Sequence, residues 1–159
     1  MIILAFDTAG PALSVAVVDG RRVLSGLHCP LVRGHAELLL PAVAGVLQAA
    51  KLRLQDCAAI ATTVGPGSFT GLRTGLAAAQ GLSLGADKPL VGVSRFEAFA
   101  EASGEFGQAA IVVAMDSKAR SLYVQAFGPD GTIADGWPAE GLNRAADGFG
   151  DIRWPRMPR

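Results

Sequence analysis

Short apolar runs alternate with turn residues along the first third of the chain. "IILAFDT" is apolar, β-branched and closed by Asp7-Thr8, which predicts a buried strand. "LSVAVVDG" predicts a second strand with Asp19-Gly20 as a hairpin turn, and "RRVLSGLH" a third. The spacing then changes. Leu39, Ala42, Val43, Val46, Leu47 and Ala50 share one helical face within "HAELLLPAVAGVLQAAK". Pro41 lies inside that pattern and predicts a kink, or a helix that begins in earnest around it. "AAIATTV" predicts a strand running straight into the loop "GPGSFTGLRTG" at residues 65–75. "TGLRTGLAAAQGLSLGA" follows as a helix, "PLVGVS" as a strand, "SRFEAFAEAS" as a short helix capped by Ser94, and "GEFGQA" as a linker.

Beyond that linker the pattern repeats. Laid without a gap, residues 2–18 and 111–127 place Asp7 on Asp116, Thr8 on Ser117, Ala5 on Ala114 and Val15 on Val124. Any two apolar hairpins share valines and alanines, but the matched Asp-hydroxyl turns favour duplication. A repeated unit predicts two related lobes facing a cleft. The expected division is a complete first lobe over residues 1–104 and a partial second lobe over residues 105–159, the latter ending in an irregular tail. A sheet without its covering helices exposes apolar surface, so a partner is expected to cover it.

Composition narrows the function classes. The chain has 159 residues, half of them apolar, and a formal net charge of zero, which predicts a folded domain without a basic nucleic-acid footprint. No apolar run approaches a membrane span, and "MIILAFDTAG" does not read as a secretory leader. The expected location is the cytoplasm, with Cys29 and Cys57 as free thiols.

The glycine loop offers three readings. A phosphate-binding P-loop needs four residues between its glycines and then Lys-Ser or Lys-Thr; here five separate Gly65 from Gly71, and Leu72-Arg73 follow. A helix N-terminus can still hold an anion, although Arg73 in the first turn opposes the helix dipole unless it pairs with a partner or with an acid, within the fold or across a dimer. Alternatively, Gly65 and Gly67 permit a tight turn while Ser68 or Thr70 caps the helix. Third, Gly71, Gly75 and Ala79 form a smooth stripe on which another helix, or the chain's own sheet, can lie close. Surplus leucines at Leu38, Leu39 and Leu40 favour a protein partner. Asp7 and Asp116 end strands where a cleft acid would bind metal or polarise water, or where each merely caps its own turn. His28 and His35 have no acidic ligand at a useful spacing, and no catalytic set emerges.

These pieces together resemble the bacterial TsaB (YeaZ) family of the actin-like ATPase superfamily. The resemblance is carried by "ILAFDT", "GHAELLLPAV", "GPGSFTGLRTGLAAAQGLSLG", "PLVGVSRFEAFA" and "DSKARSLYVQAF". It implies an α/β fold of duplicated ribonuclease-H-like lobes, complete in the first and short in the second. It further implies a non-catalytic partner in forming threonylcarbamoyladenosine on tRNA. The catalytic subunit would be TsaD-like, joined by a TsaE-like ATPase, with ATP and metal held by those partners and tRNA met only through the complex. Pairing through the first-lobe helices, as homodimer or with the catalytic subunit, would use Leu39, Val43, Gly71, Leu72, Gly75 and Leu76. Gly65, Gly67, Ser68, Thr70 and Arg73 would form a conformational loop and cap, and Asp7, Thr8, Asp116 and Ser117 a vestigial cleft. The chain departs from the family in Ser121-Leu122 before Tyr123. The rivals are an actin-like ATP-binding phosphotransferase or ATPase using the two Asp turns, and an M22-type peptidase.

Overall fold

A computed structural model describes residues 1–31, 33–117 and 122–134. Two compact units divide the chain, Met1–Arg95 and Phe96–Arg159. The division falls nine residues before the expected boundary at 104, because the short helix predicted for the first lobe packs with the second unit.

The first unit is built on a mixed sheet. Strands β1 (Ile2–Asp7), β2 (Ala12–Asp19) and β3 (Arg22–Pro30) form an antiparallel meander. β4 (Ala59–Gly65) then pairs parallel to β1, and β5 (Leu90–Ser94) parallel to β4, giving the order β3-β2-β1-β4-β5. The two parallel pairings require crossovers, and helices supply them: α1 (His35–Ala49) before β4 and α2 (Phe69–Ala86) between β4 and β5.

Alternation decides which face the helices cover. Leu4 and Phe6 of β1 and Leu13, Val15 and Val17 of β2 point to one side and are buried. Against them pack Leu39, Val43, Val46 and Leu47 of α1, Ala79 of α2, and Ile60 and Cys57. Burying each large aliphatic side chain contributes about 2 kcal/mol, so this layer is the main stabilising element of the unit. α1 starts at His35 and runs through Pro41, which sits on its exposed side. The helix therefore neither begins at the proline nor is ended by it.

The second unit begins at Phe96, inside α3 (Arg95–Ala102), and continues to a hairpin of β6 (Ile111–Asp116) and β7 (Leu122–Phe127). Ala100, Val113 and Phe127 are buried together, with Phe96, Phe106, Ile111 and Met115 around them. Phe106 stands edge-on to Phe127 at a centroid distance of 5.3 Å. The repeat is visible here, with one difference. Asp7 lies opposite Ser14 in the first hairpin, whereas Asp116 lies opposite Leu122, one residue earlier than a gapless superposition requires. The irregular tail expected at residues 141–159, and the departure at Ser121, lie outside the described residues.

Candidate functional site

The carboxylate of Asp7, at the end of β1, is the centre of a hydrogen-bonded junction. Its Oδ1 accepts from the Ala9 amide at 2.8 Å and from the Thr63 hydroxyl at 2.7 Å. Its Oδ2 accepts from Arg95 Nε at 3.1 Å, and Arg95 Nη1 donates to the Pro66 carbonyl at 2.9 Å. Only a tenth of the Arg95 side chain is exposed, and a quarter of that of Asp7. A charge removed from water to this degree must be paired, and each member of the pair supplies what the other needs.

Sequence reasoning did not single out Arg95. The signal available was a lone arginine directly after the strand "LVGVS", in a chain whose first strand ends in an acid. The same reasoning placed Thr8 in a cleft. Thr8 is instead buried, and its hydroxyl donates to the Gly71 carbonyl at 2.7 Å. The correction follows from alternation: Thr8 continues the inward face of Leu4 and Phe6, so it meets α2. Asp116 is exposed at the end of β6, and Ser117 follows it half-buried.

The glycines of the loop make room for the chain itself. A side chain at Gly67 would place its Cβ 2.5 Å from the Ala9 carbonyl oxygen and 3.0 Å from Arg95 Nη1. One at Gly71 would land on the Thr8 carbonyl, and one at Gly75 would lie 2.6 Å from Thr8 Oγ1. Gly65 adopts φ of 114° before a cis bond to Pro66, a backbone region that favours glycine. Ser68 caps α2, its hydroxyl accepting from the Gly71 amide at 3.2 Å, and its own amide donates to Ala9 O at 2.9 Å. Thr70 is exposed and does not cap the helix.

These contacts correct the expected interface. Leu39 and Val43 belong to the core under α1, and Gly71 and Gly75 face the strand ends, because the small-residue stripe lets α2 lie close on its own sheet. Leu72 and Leu76 are half-buried. The outward faces carry other residues: Leu38, Leu40, Phe69 and Leu84 are exposed, Phe69 by 73% and Leu84 by 86%. A Cβ at Gly45, Gly81 or Gly85 meets nothing, so the outer surfaces of both helices are shallow as well as apolar. Arg73 rests over the Phe69 ring, 5.5 Å from its centroid, and among the described residues no acid of its own fold pairs with it. Stacking on the ring compensates part of its unfavourable place near the helix start.

Among the described residues no group of three His, Cys, Asp or Glu side chains could hold a metal ion, and no helix is long and apolar enough to cross a membrane. Cys29 is half-buried and Cys57 fully buried, both as free thiols. Burial, followed by the charge of Asp56, pushes the Cys57 thiol up from its ordinary value.

A three-stranded meander extended by two parallel strands, with helices crossing over one face, defines the actin-like ATPase fold. The architecture is shared with the ROK hexokinase of Thermus thermophilus, at TM-score 0.53 and 21% identity over 90% of this chain and 52% of that one. Closer likenesses identify the branch. A Pseudomonas aeruginosa protein described as similar to peptidase YEAZ superposes with TM-score 0.74 at 31% identity, over 85% of this chain and 64% of that one. The tRNA threonylcarbamoyladenosine biosynthesis protein TsaB of Escherichia coli K12 is 39% identical over 125 residues, covering 77% of this chain and 53% of the relative. The family profile for TsaD, tRNA N6-adenosine threonylcarbamoyltransferase, matches residues 30–150. The chain belongs to the TsaB (YeaZ) branch of this family. It spans about half the length of the curated relatives it matches.

Proposed function

We propose that this chain is a scaffold or activating subunit in the formation of threonylcarbamoyladenosine on tRNA, doing no chemistry alone. It pairs with a TsaD-like catalytic subunit, or with a second copy in isolation, through the outer faces of α1 and α2. A TsaE-like ATPase joins the assembly, ATP and metal reside in the partners, and tRNA is met only through the complex in the cytoplasm. The observation that carries this reading is the engagement of Asp7 within the fold. The strand-end acid that would serve a cleft reaction accepts bonds from Ala9, Thr63 and Arg95, and its charge is already paired.

Exposed apolar side chains mark the docking face. Leu38, Leu40, Phe69 and Leu84 lie on two neighbouring helices, on surfaces kept shallow by Gly45, Gly81 and Gly85. The test is reconstitution of the tRNA modification from TsaD-like and TsaE-like subunits with and without this chain. Product formation should depend on its presence, and undiminished product in its absence would overturn the proposal. Calorimetry with Mg-ATP adds a second check: tight binding by the chain alone would favour an ATP-binding phosphotransferase instead.

A further inference from the structure

We infer that Arg95 is a positioning residue for the docking helix: it fixes the loop before α2 and so sets where the first turn of that helix presents Phe69 and Arg73. The inference rests on the docking reading above. Its basis is a short chain of contacts within the first unit. Asp7, held by Ala9 N and Thr63 Oγ1, fixes Arg95 Nε; Arg95 Nη1 in turn holds the Pro66 carbonyl. Two residues on, Ser68 donates to Ala9 O and caps Gly71, while Gly71 O accepts from Thr8. Phe69 follows the cap directly and is exposed.

Packing leaves the loop little room to drift. A Cβ on Gly10 would lie 2.8 Å from Arg95 Nη2, and one on Gly67 3.0 Å from Nη1, so the guanidinium fills the space between the two turns. Removing it would free the Pro66 carbonyl and leave a void between residues 9–10 and 66–67. The backbone bond from Ser68 to Ala9 would remain to hold the loop on that side. An arginine suits the task because its planar fork reaches two acceptors at once, one on Asp7 and one on Pro66. A docking surface held rigid in advance loses less conformational freedom when a partner binds. Arg95 therefore links the junction at Asp7 to the strength of association at a surface it does not touch.

The experiment compares Arg95→Ala with Thr63→Val, which removes a hydrogen bond from the same carboxylate but leaves the contact to Pro66. Amide hydrogen exchange should quicken by about tenfold at Ser68, Gly71 and Leu72 in Arg95→Ala. In Thr63→Val those amides should keep their wild-type rates relative to the α1 amides of Val46 and Leu47. Self-association by sedimentation, with the chain itself as probe, should weaken by about tenfold in Arg95→Ala and less than twofold in Thr63→Val. Arg95→Lys, which keeps one donor to either acceptor, should fall between. Unchanged exchange at residues 68–72 in Arg95→Ala would overturn the inference, as would an increase spread evenly over both helices. A wild type that never self-associates, with the local exchange effect present, would count against docking by self-pairing and leave the positioning of the loop established.

Discussion

Arg95 and Asp7, 88 positions apart in the chain, meet at 3.1 Å, and the guanidinium continues from the carboxylate to the Pro66 carbonyl. The pair joins the end of β1, the loop before α2 and the end of β5. Replacing Asp7 with Asn keeps the shape and two of the acceptor contacts but removes the carboxylate charge that faces Arg95 Nε at 3.1 Å. Breaking such a pair costs about 3 kcal/mol, reduced here by the partial exposure of Asp7. Urea unfolding of Asp7→Asn at neutral pH should show a loss of about 2 to 3 kcal/mol. A loss below about 0.5 kcal/mol, the level of ordinary surface substitutions, would mean that the ion pair contributes little.

Two glycines of α2 should respond oppositely to the same substitution. Gly71→Ala drives a methyl group into the Thr8 carbonyl, a backbone atom that cannot turn aside, and should cost about 3 kcal/mol or more. Gly81 faces open space within the helix, so Gly81→Ala should raise stability by about 0.5 to 1 kcal/mol. Thermal melts of the two variants give the comparison directly. Equal effects would contradict the placement of the small-residue stripe against the sheet.

Leu84→Glu should leave the melting temperature nearly unchanged, because the side chain is exposed, yet it should disrupt self-association measured by light scattering. Gly75→Arg, by contrast, should unfold the protein through collision with Thr8 and Thr62, so any loss of pairing there would be secondary. A wild type that stays monomeric at micromolar concentration would remove the case for a homodimer.

The Cys57 thiol provides a pH test. Its folded-state value is raised by burial, so the folded chain holds the proton more firmly than the unfolded chain does. The stability it contributes is complete below the unfolded thiol value of about 8.5 and is lost as pH rises through the higher folded value. Cys57→Ala should therefore flatten the decline of unfolding free energy on the alkaline side. In the wild type, a thiol reagent should react with Cys29 first and reach Cys57 only as the protein opens.

Much of the first unit was legible because its strands and helices differ in period. The strand ending at Asp7, the Asp19-Gly20 turn and the inward face Leu39, Val43, Val46 and Leu47 all follow from spacing alone. The small-residue stripe was harder. Gly71, Gly75 and Ala79 produce the same pattern whether a partner helix or the chain's own sheet lies against them, and only the contacts with Thr8 distinguish the cases. Leu38, Leu39 and Leu40 pointed to a surface, yet the middle leucine is core and its neighbours are exposed. Arg95 was illegible for another reason: a long-range ion pair leaves no periodic trace, and one arginine after a strand carries no mark of its partner.

The one-residue difference between the two hairpins bears on how parts could be exchanged between them. In β1–β2, Phe6 faces Val15; in β6–β7, Met115 faces Tyr123, not Val124. Because side chains alternate across a strand, a single step reverses which way each one points. A chimera that grafts β2 into the second hairpin by sequence alignment would turn Leu13, Val15 and Val17 away from the face on which Val113 is buried. The same graft made by pairing partner, with Val15 standing at the position of Tyr123, would keep them on the face of Val113. The arms of the duplicated motif are thus interchangeable by pairing partner and not by numbering.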